Sequence, residues 1–292
     1  APLNLLDGHQ RAADWLRSAG VLTSSTSGVS FFHQTFFDFI FARQFLVAHA
    51  STARFLLTTD QGLFYRSLTR QVLTHARAAD RRRYLMETAE LLSNPGIREH
   101  LKWLVISSVG LSPQPAQEEF ALLEGGFITE DTLWRTCSFW KGNPGWFDLL
   151  GPAKVEAWLD PAHPKTFQAA MRYLKSILPM RQQQIATLLD SRVGRDGLWN
   201  SWIATALTSL GKDWQAPGIE LLRRILIDPK TDLDLEHGYW WMAIHDLSKH
   251  DPGKACELIP DILERYSARW PADLSTPADD AEKLLPKVYE FK

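Results

Sequence analysis

The spacing of hydrophobic and polar positions is helical along nearly the whole chain, and stretches that alternate as a β-strand does are nearly absent. Residues 10–19 have the pattern of a short helix, and Gly20 follows where a left-handed residue would end it. Residues 21–32 contain two short β-prone runs around a Ser/Thr/Gly turn, which predicts a β-hairpin. Residues 34–50 then predict a strongly apolar helix.

This apolar helix has a wide hydrophobic face. Phe37, Phe41 and Phe45 recur every four residues, with Phe36 and Ile40 beside them. A helix, a small β-wing and a second helix follow one another in the closing half of a winged-helix domain. We therefore predict that residues 1–55 are the C-terminal part of such a domain.

An internal repeat follows the apolar helix. Two sets of aliphatic positions recur with the same separations of 33 and 37 residues, namely Ile177, Leu210 and Leu247, and then Leu188, Leu221 and Leu258. A third aliphatic position precedes each member of the first set by three residues, at Leu174, Leu207 and Ile244. Such a register indicates one structural unit copied along the chain.

Prolines and turn residues indicate how each copy is built. Pro179, Pro217 and Pro252 lie between the two aliphatic anchors of each copy, where a second helix can begin. The repeat of about 35 residues has the size of tetratricopeptide or HEAT-like units. A degenerate earlier copy covers residues 139–150. We predict a mainly α fold, with an α-solenoid over residues 56–266 and a terminal cap or truncated further repeat over 267–292.

Composition is that of an ordinary globular chain: 292 residues, 45% hydrophobic, 23% charged and a net charge of −2. Near-neutral charge argues against general binding of nucleic acid. No run reaches the roughly 18 uncharged apolar residues that cross a bilayer, so we expect a cytoplasmic protein without membrane association. Cys137 and Cys256 are expected to be reduced and buried. Because the chain begins at Ala1 rather than Met, we expect it to be part of a longer protein or to have been processed.

Residues 31–43 (FFHQTFFDFIFAR) carry a resemblance to a known family. They resemble the pattern F-x-H-x-x-F-x-[DE]-[YF]-x-x-A-[RK], which ends the winged helix of NACHT-type STAND nucleotide-binding proteins. The matching positions after the first phenylalanine are His33, Phe36, Asp38, Phe39, Ala42 and Arg43. The preceding helix and residues 20–22 (GVL) are also similar to the start of that wing.

The resemblance implies a sensor and switch protein. In that family a P-loop ATPase module holds ADP at rest, and the winged-helix histidine, here His33, contacts the β-phosphate. An imidazole can donate a charge-assisted hydrogen bond to a phosphate oxygen. A C-terminal repeat domain receives a protein trigger, which allows nucleotide exchange, oligomerisation and activation of an effector. Bacterial members commonly act in antiphage defence.

The chain departs from the family in one respect. No G-x-x-x-x-G-K-[ST] motif occurs in the 292 residues, so the phosphate-binding loop would have to lie upstream. We therefore expect no enzymatic activity and no cofactor in this chain itself. ATP or ADP and Mg²⁺ would bind to the full-length parent, and the upstream ATPase module would be an intramolecular partner.

Tryptophans and arginines supply candidate partner-binding residues. Trp199, Trp202 and Trp241 are aromatic anchors that a protein partner would contact, although tryptophans in helical repeats more often fill the space between helices. Trp240 aligns with core positions of the earlier copies, so we expect Trp241 to be the exposed member of that pair. Arg81, Arg82 and Arg83 form a basic cluster that either contacts a partner or is a solvated helix surface.

Metal binding is not expected. His237, His245 and His250 lie near Glu236 and Asp246, but their spacing matches no zinc pattern. Two other function classes stay open beside the STAND interpretation. One is a HEAT-like DNA-binding protein or DNA glycosylase, which the tryptophans and arginines favour and the net charge disfavours. The other is a protein–protein scaffold.

Overall fold

The computed structural model of the chain describes residues 8–25, 28–32, 34–48, 51–231 and 239–269. Within these ranges the fold is mainly α, with a two-stranded antiparallel sheet near the N-terminus and helical repeats after it. The predicted fold class is thereby confirmed. The chain divides into two compact units. The first comprises residues up to 151 together with 160–169, and the second comprises residues 152–159 together with those from 170 onward.

The N-terminal elements have the predicted helix–hairpin–helix order. They are α1 (Gln10–Ser18), β1 (Leu22–Ser25), β2 (Gly28–Phe31) and α2 (Gln34–Ala48). Gly20 has φ 70° just after α1, which is the left-handed conformation expected there. The two strands pair with Leu22 opposite Phe31 and Ser25 opposite Gly28. The hairpin is therefore short and regular.

Paired helices build the rest of the first unit. They are α3 (Thr52–Leu57), α4 (Phe64–Ala79), α5 (Arg81–Ser93), α6 (Glu99–Gly110), α7 (Gln117–Glu124) and α8 (Leu133–Trp140). Helices α2, α4, α6 and α8 contact one another in succession, and α3, α5 and α7 form a second row. Because α2 packs against α4, the predicted domain boundary at residue 55 lies inside one compact unit.

Two helices occupy the stretch where the chain passes between the units. Helix α9 (Pro144–Glu156) is interrupted at Gly151, where φ is 73° and ψ is 161°, and α10 (Pro164–Ile177) follows it. At the start of α9 the ring of Trp146 stacks on that of Trp140 with centroids 4.7 Å apart. The Trp146 indole N–H donates to the Gly110 carbonyl at 2.9 Å, which satisfies a buried polar group in this core.

The second unit contains the repeats that the sequence predicted. Its further helices are α11 (Gln182–Asp190), α12 (Gly197–Leu207), α13 (Ala216–Ile227), α14 (Trp240–His250), α15 (Pro252–Cys256) and α16 (Ile259–Arg269). All six predicted aliphatic anchors are buried. Pro217 and Pro252 lie in the first turns of α13 and α15, as expected. Pro179 instead lies in a short 3₁₀ turn before α11.

Buried amide side chains join residues that lie about one repeat apart. Gln182 donates from Nε2 to the Asp213 carbonyl at 2.9 Å, and its Oε1 accepts from the backbone N–H groups of Gln215 and Gly218, both at 3.0 Å. In the first unit, Gln61 donates to the Gly96 carbonyl and accepts from the Arg98 N–H, both at 2.8 Å. We call Gln61 and Gln182 the amide clamps. The two rows of packed helices in the first unit indicate that helical repeats begin well before the degenerate copy predicted at residues 139–150.

Candidate interaction surfaces

Helix α2 is attached to the first repeat through one side, which we call its inner face. Asp38, Ala42 and Phe45 are buried on this face. Ala42 and Phe45 belong to a hydrophobic cluster with Leu68 and Val72 of α4. The spacing 38, 42, 45 is one stripe of an α-helix, so a single contact with α4 buries all three side chains.

A partly buried hydrogen bond orients this contact. The Ser67 hydroxyl on α4 donates to the Asp38 carboxylate. Beside it, the ring of Phe39 meets that of His75 edge to face with centroids 6.0 Å apart. Asp38, Phe39 and Ala42 are all positions of the motif that resembles the STAND winged helix. These three side chains therefore connect α2 to the repeats.

The opposite side of α2 is exposed and mostly apolar. We call Phe36, Ile40, Arg43 and Val47 its outer face. The prediction placed Phe36 and Ile40 on the same hydrophobic face as Phe45, and this is wrong. Both stripes have helical spacing and both are apolar, so the sequence alone did not distinguish the packed side from the free one. A helix that is apolar on two sides is typical of one that contacts two bodies.

His33, the predicted nucleotide-sensing residue, lies outside the described residues. Its role stays a prediction. Next to it in the chain, strand β2 contacts the start of α2 through the rings of Phe31 and Phe36, whose centroids are 5.6 Å apart. The hairpin and α2 are thus in direct contact at this junction.

Arg81 and Arg82 begin α5 in different environments. The Arg81 guanidinium lies 3.4 Å from the Glu118 carboxylate. Arg82 is exposed and forms no ion pair with the described residues. A groove of about 370 Å³ runs beside them, and its lining includes acidic, basic and apolar side chains, namely Asp80, Arg82, Arg83, Met86, Glu87 and Glu90. This mixture of charges does not form the uniformly basic surface that a polyanion requires.

Arg83 has a structural role within the first unit, and its contact with a partner stays a prediction. Its guanidinium donates to the Leu46 carbonyl near the end of α2 and lies 3.5 Å from the buried Glu87 carboxylate. Glu87 in turn accepts from the Thr52 backbone N–H at 2.7 Å at the start of α3. Arg83 therefore joins α2, α3 and α5 within the first unit. The run of three arginines contains no local signal that distinguishes Arg83 from Arg82.

The three candidate tryptophans are not equivalent. Trp199 is buried, so the prediction that it contacts a partner is corrected; its ring lies 5.5 Å from the Arg192 guanidinium within the second unit. Trp202 is half-buried on α12. Trp241 is exposed on α14 while Trp240 is buried, as predicted. The repeat register of about 35 residues, which predicted that Trp240 is a core residue, therefore also distinguishes the buried Trp240 from the exposed Trp241.

The neighbouring helices α12 and α14 carry exposed or half-buried apolar and aromatic residues, namely Leu198 and Trp202 on α12, Tyr239 just before α14 and Met242 on α14. We call these four residues the aromatic surface. Sequence reasoning missed Leu198 and Met242, because an exposed aliphatic residue in a repeat has the same pattern as a buried one. Tyrosine, tryptophan and methionine are enriched at protein interfaces. This surface fits a protein partner better than a charged ligand.

His245 and Trp241 lie together on one flank of α14, with ring centroids 6.4 Å apart. Burial lowers the pKa of His245, Lys249 lowers it further, and Asp246 acts in the opposite direction. The neutral imidazole is therefore favoured at this position.

Metal-ligand and thiol chemistry are limited in the described residues. These residues contain no group of three or more His, Cys, Asp or Glu side chains arranged to hold a metal ion, and His237 lies outside them. Cys137 is buried as expected, and burial raises the pKa of its thiol. Cys256 is exposed, contrary to the prediction, because it lies at the end of the short helix α15. None of the helices in the described ranges is both long and apolar enough to span a bilayer.

No known protein family, curated protein or solved structure matches this chain. Its interpretation therefore depends on the geometry of the α2 junction, the aromatic surface and the motif.

Proposed function

We propose that this chain is the sensor and coupling region of a STAND-type NTPase. Its helical repeats would bind a protein trigger, and α2 would relay that binding to an upstream ATPase module of the same protein. Nucleotide exchange and oligomerisation of the parent would follow. A cytoplasmic role in antiphage defence belongs to the same proposal, since the motif in residues 31–43 resembles that family.

The observation that carries this proposal is the two-sided character of α2. Its inner face is packed against α4 through Asp38, Ala42 and Phe45, whereas its outer face exposes Phe36 and Ile40. Removing the remaining exposed apolar surface of these side chains from water is favourable, so the outer face favours a second packed body. We propose that the upstream ATPase module packs on this outer face.

The position of α2 suits a relay. His33 directly precedes Gln34, the first residue of α2, so any shift of the helix on α4 would displace the residue that the resemblance assigns to the nucleotide. A ligand that binds one arrangement of α2 more tightly than another shifts the equilibrium between them. By binding the repeats, the trigger would favour one arrangement of α2 over another. We propose that it binds at the aromatic surface.

The full-length polypeptide encoded by the gene tests the proposal. We expect the purified protein to retain ADP and to carry a phosphate-binding loop upstream of Ala1. Ile40→Asp should release ADP and promote oligomers, since it places a charge in the contact with the ATPase module. Ile227→Asp is the matched control, because Ile227 is an exposed isoleucine at the end of α13. A full-length protein without bound nucleotide, or an Ile40→Asp variant that behaves as the control does, would contradict the proposal.

A further inference from the structure

Equivalent positions in successive repeats have different exposures at the end of the second unit. Met171, Ala204 and Trp241 are separated by the repeat intervals of 33 and 37 residues. The first two are 1% exposed, whereas Trp241 is 38% exposed. The same position is therefore core in two copies and surface in the last.

Equivalent positions in the second helix of each copy show the same difference in exposure. Leu189 and Leu222 are 0% exposed, whereas the equivalent Ile259 is 46% exposed. Leu226 is 0% exposed and its equivalent Leu263, again 37 residues later, is 61% exposed. Apolar residues are thus retained at these positions of the last copy although no burial is seen there.

The reason for the difference lies in the packing of neighbouring copies. Helix α14 packs against α12, and α16 packs against α13. Within the described ranges, no further helix packs on α14 and α16 in the same manner. We call Trp241, Ile259 and Leu263 the end face. The outermost repeat of a helical array normally has a polar outer surface, and this one is apolar.

We propose that the C-terminal residues 281–291 of this same chain dock on the end face. They contain Leu284, Leu285, Val288, Tyr289 and Phe291, the densest apolar run after residue 270. Helix α16 ends at Arg269, so residues 270–280 link it to this run. An extended chain reaches about 3.3 Å per residue, and the total reach of this linker therefore exceeds the 8–10 Å between the axes of packed helices. Tethering gives the segment a high effective concentration at this surface.

The sequence of the segment also limits the form that it can take. Pro286 would break a helix within the segment, so we infer a cap rather than a further complete repeat. This gives the predicted terminal cap a defined site. The inference concerns the C-terminal end only, and it does not depend on the proposed nucleotide switch.

A disulfide trap tests the docking directly. In a Cys256→Ser background, which removes the exposed thiol, Leu263→Cys combined with Leu285→Cys should form an intramolecular disulfide under mild oxidation. Leu198→Cys combined with Leu285→Cys is the matched control, because Leu198 is an exposed leucine of α12 outside the end face. Equal cross-linking of the two pairs, or none in the first, would overturn the proposal.

Thermal unfolding of the full chain provides an independent readout. Leu263→Asp and Leu285→Asp should each lower Tm by about 3–6 °C, and the double variant should lower it no further than the more severe single variant. Ile227→Asp, at an exposed position outside the end face, should leave Tm unchanged. Additive losses, or a Leu285→Asp variant as stable as the wild type, would overturn the proposal. So would a wild-type dimer in solution that Leu263→Asp dissociates, because a second copy would then occupy the end face.

Discussion

The two units share a type of polar contact, although a regular register of aliphatic positions is evident only in the second. In the second unit, aliphatic anchors such as Ile177 and Leu210 recur at fixed intervals and are buried. In the first unit, aliphatic residues are buried together with aromatic rings, as in the stack of Trp140 on Trp146. In both units a buried amide side chain bonds to backbone groups 31–37 residues later, from Gln61 before α4 and from Gln182 at the start of α11.

A physical reason explains this difference. A core tolerates many combinations of apolar residues if the total volume is kept, so its pattern drifts between copies. A buried backbone N–H or carbonyl requires a partner whatever the core contains. The loops near Gly96 and Asp213 contain such groups, and an amide side chain supplies both a donor and an acceptor to them.

The largest expected effect is a loss of stability on removing an amide clamp, and the loss should be greater at Gln182 than at Gln61. Gln182→Ala should lower the free energy of unfolding by about 3 kcal/mol, because the Gln215 and Gly218 N–H groups and the Asp213 carbonyl lose their partner. Gln61→Ala should cost about 2 kcal/mol, since it forms two such bonds. Urea unfolding measures both. Gln183→Ala, at the exposed neighbouring position, is the control, and equal losses for residues 182 and 183 would show that the clamp is unimportant.

A substitution at Gly218, whose N–H donates to the Gln182 clamp, should also destabilise the protein, but by less than Gln182→Ala. A Cβ at Gly218 would lie 2.5 Å from Gln182 Oε1 and 2.9 Å from Leu210 Cδ1. We expect Gly218→Ala to destabilise the protein by about 2 kcal/mol, because the clamp must move away. Gly253→Ala, whose Cβ would have an ordinary contact of 3.5 Å, should not destabilise it. Calorimetry of the two variants distinguishes this steric effect from a general intolerance of alanine.

The contact between α2 and α4 should be less costly to weaken. Asp38→Ala leaves the Ser67 hydroxyl without its acceptor, and we expect a loss of about 1–2 kcal/mol in unfolding free energy. Asp38→Asn keeps an acceptor oxygen and should recover part of that loss. Val47→Ala on the outer face should change stability little, since its side chain is exposed. If Val47→Ala costs as much as Asp38→Ala, the assignment of inner and outer faces is wrong.

The smallest effect is expected for exposed ion pairs between repeats. The Arg224 guanidinium pairs with the Asp190 carboxylate from 34 residues earlier, and both side chains are partly exposed. Arg224→Ala should cost about 0.5 kcal/mol at low salt, because solvent screens the pair. The loss should vanish in high salt. Chemical unfolding at two salt concentrations measures it, and a loss that is independent of salt would indicate a packing role.

Sequence reasoning predicted the features that depend on periodicity. The helix–hairpin–helix order, the buried anchors of the second unit and the burial of Trp240 all follow from spacing. It did not predict which side of α2 is packed, because Phe36 and Phe45 lie on equally apolar stripes. It also did not separate Arg83, which bonds to the Leu46 carbonyl, from the exposed Arg82. Such distinctions depend on contacts between distant residues, which a local pattern does not contain.

The most direct test of the account is the accessibility of the α2 outer face in the full-length protein. The measurement is the rate of maleimide labelling at Ile40→Cys in a Cys256→Ser background, with Cys137 buried and unreactive. We predict rapid labelling in this chain alone, strong protection in the ADP-bound full-length protein and renewed labelling after activation. Equal labelling rates in the isolated chain and the full-length protein would contradict the proposal that α2 contacts an ATPase module.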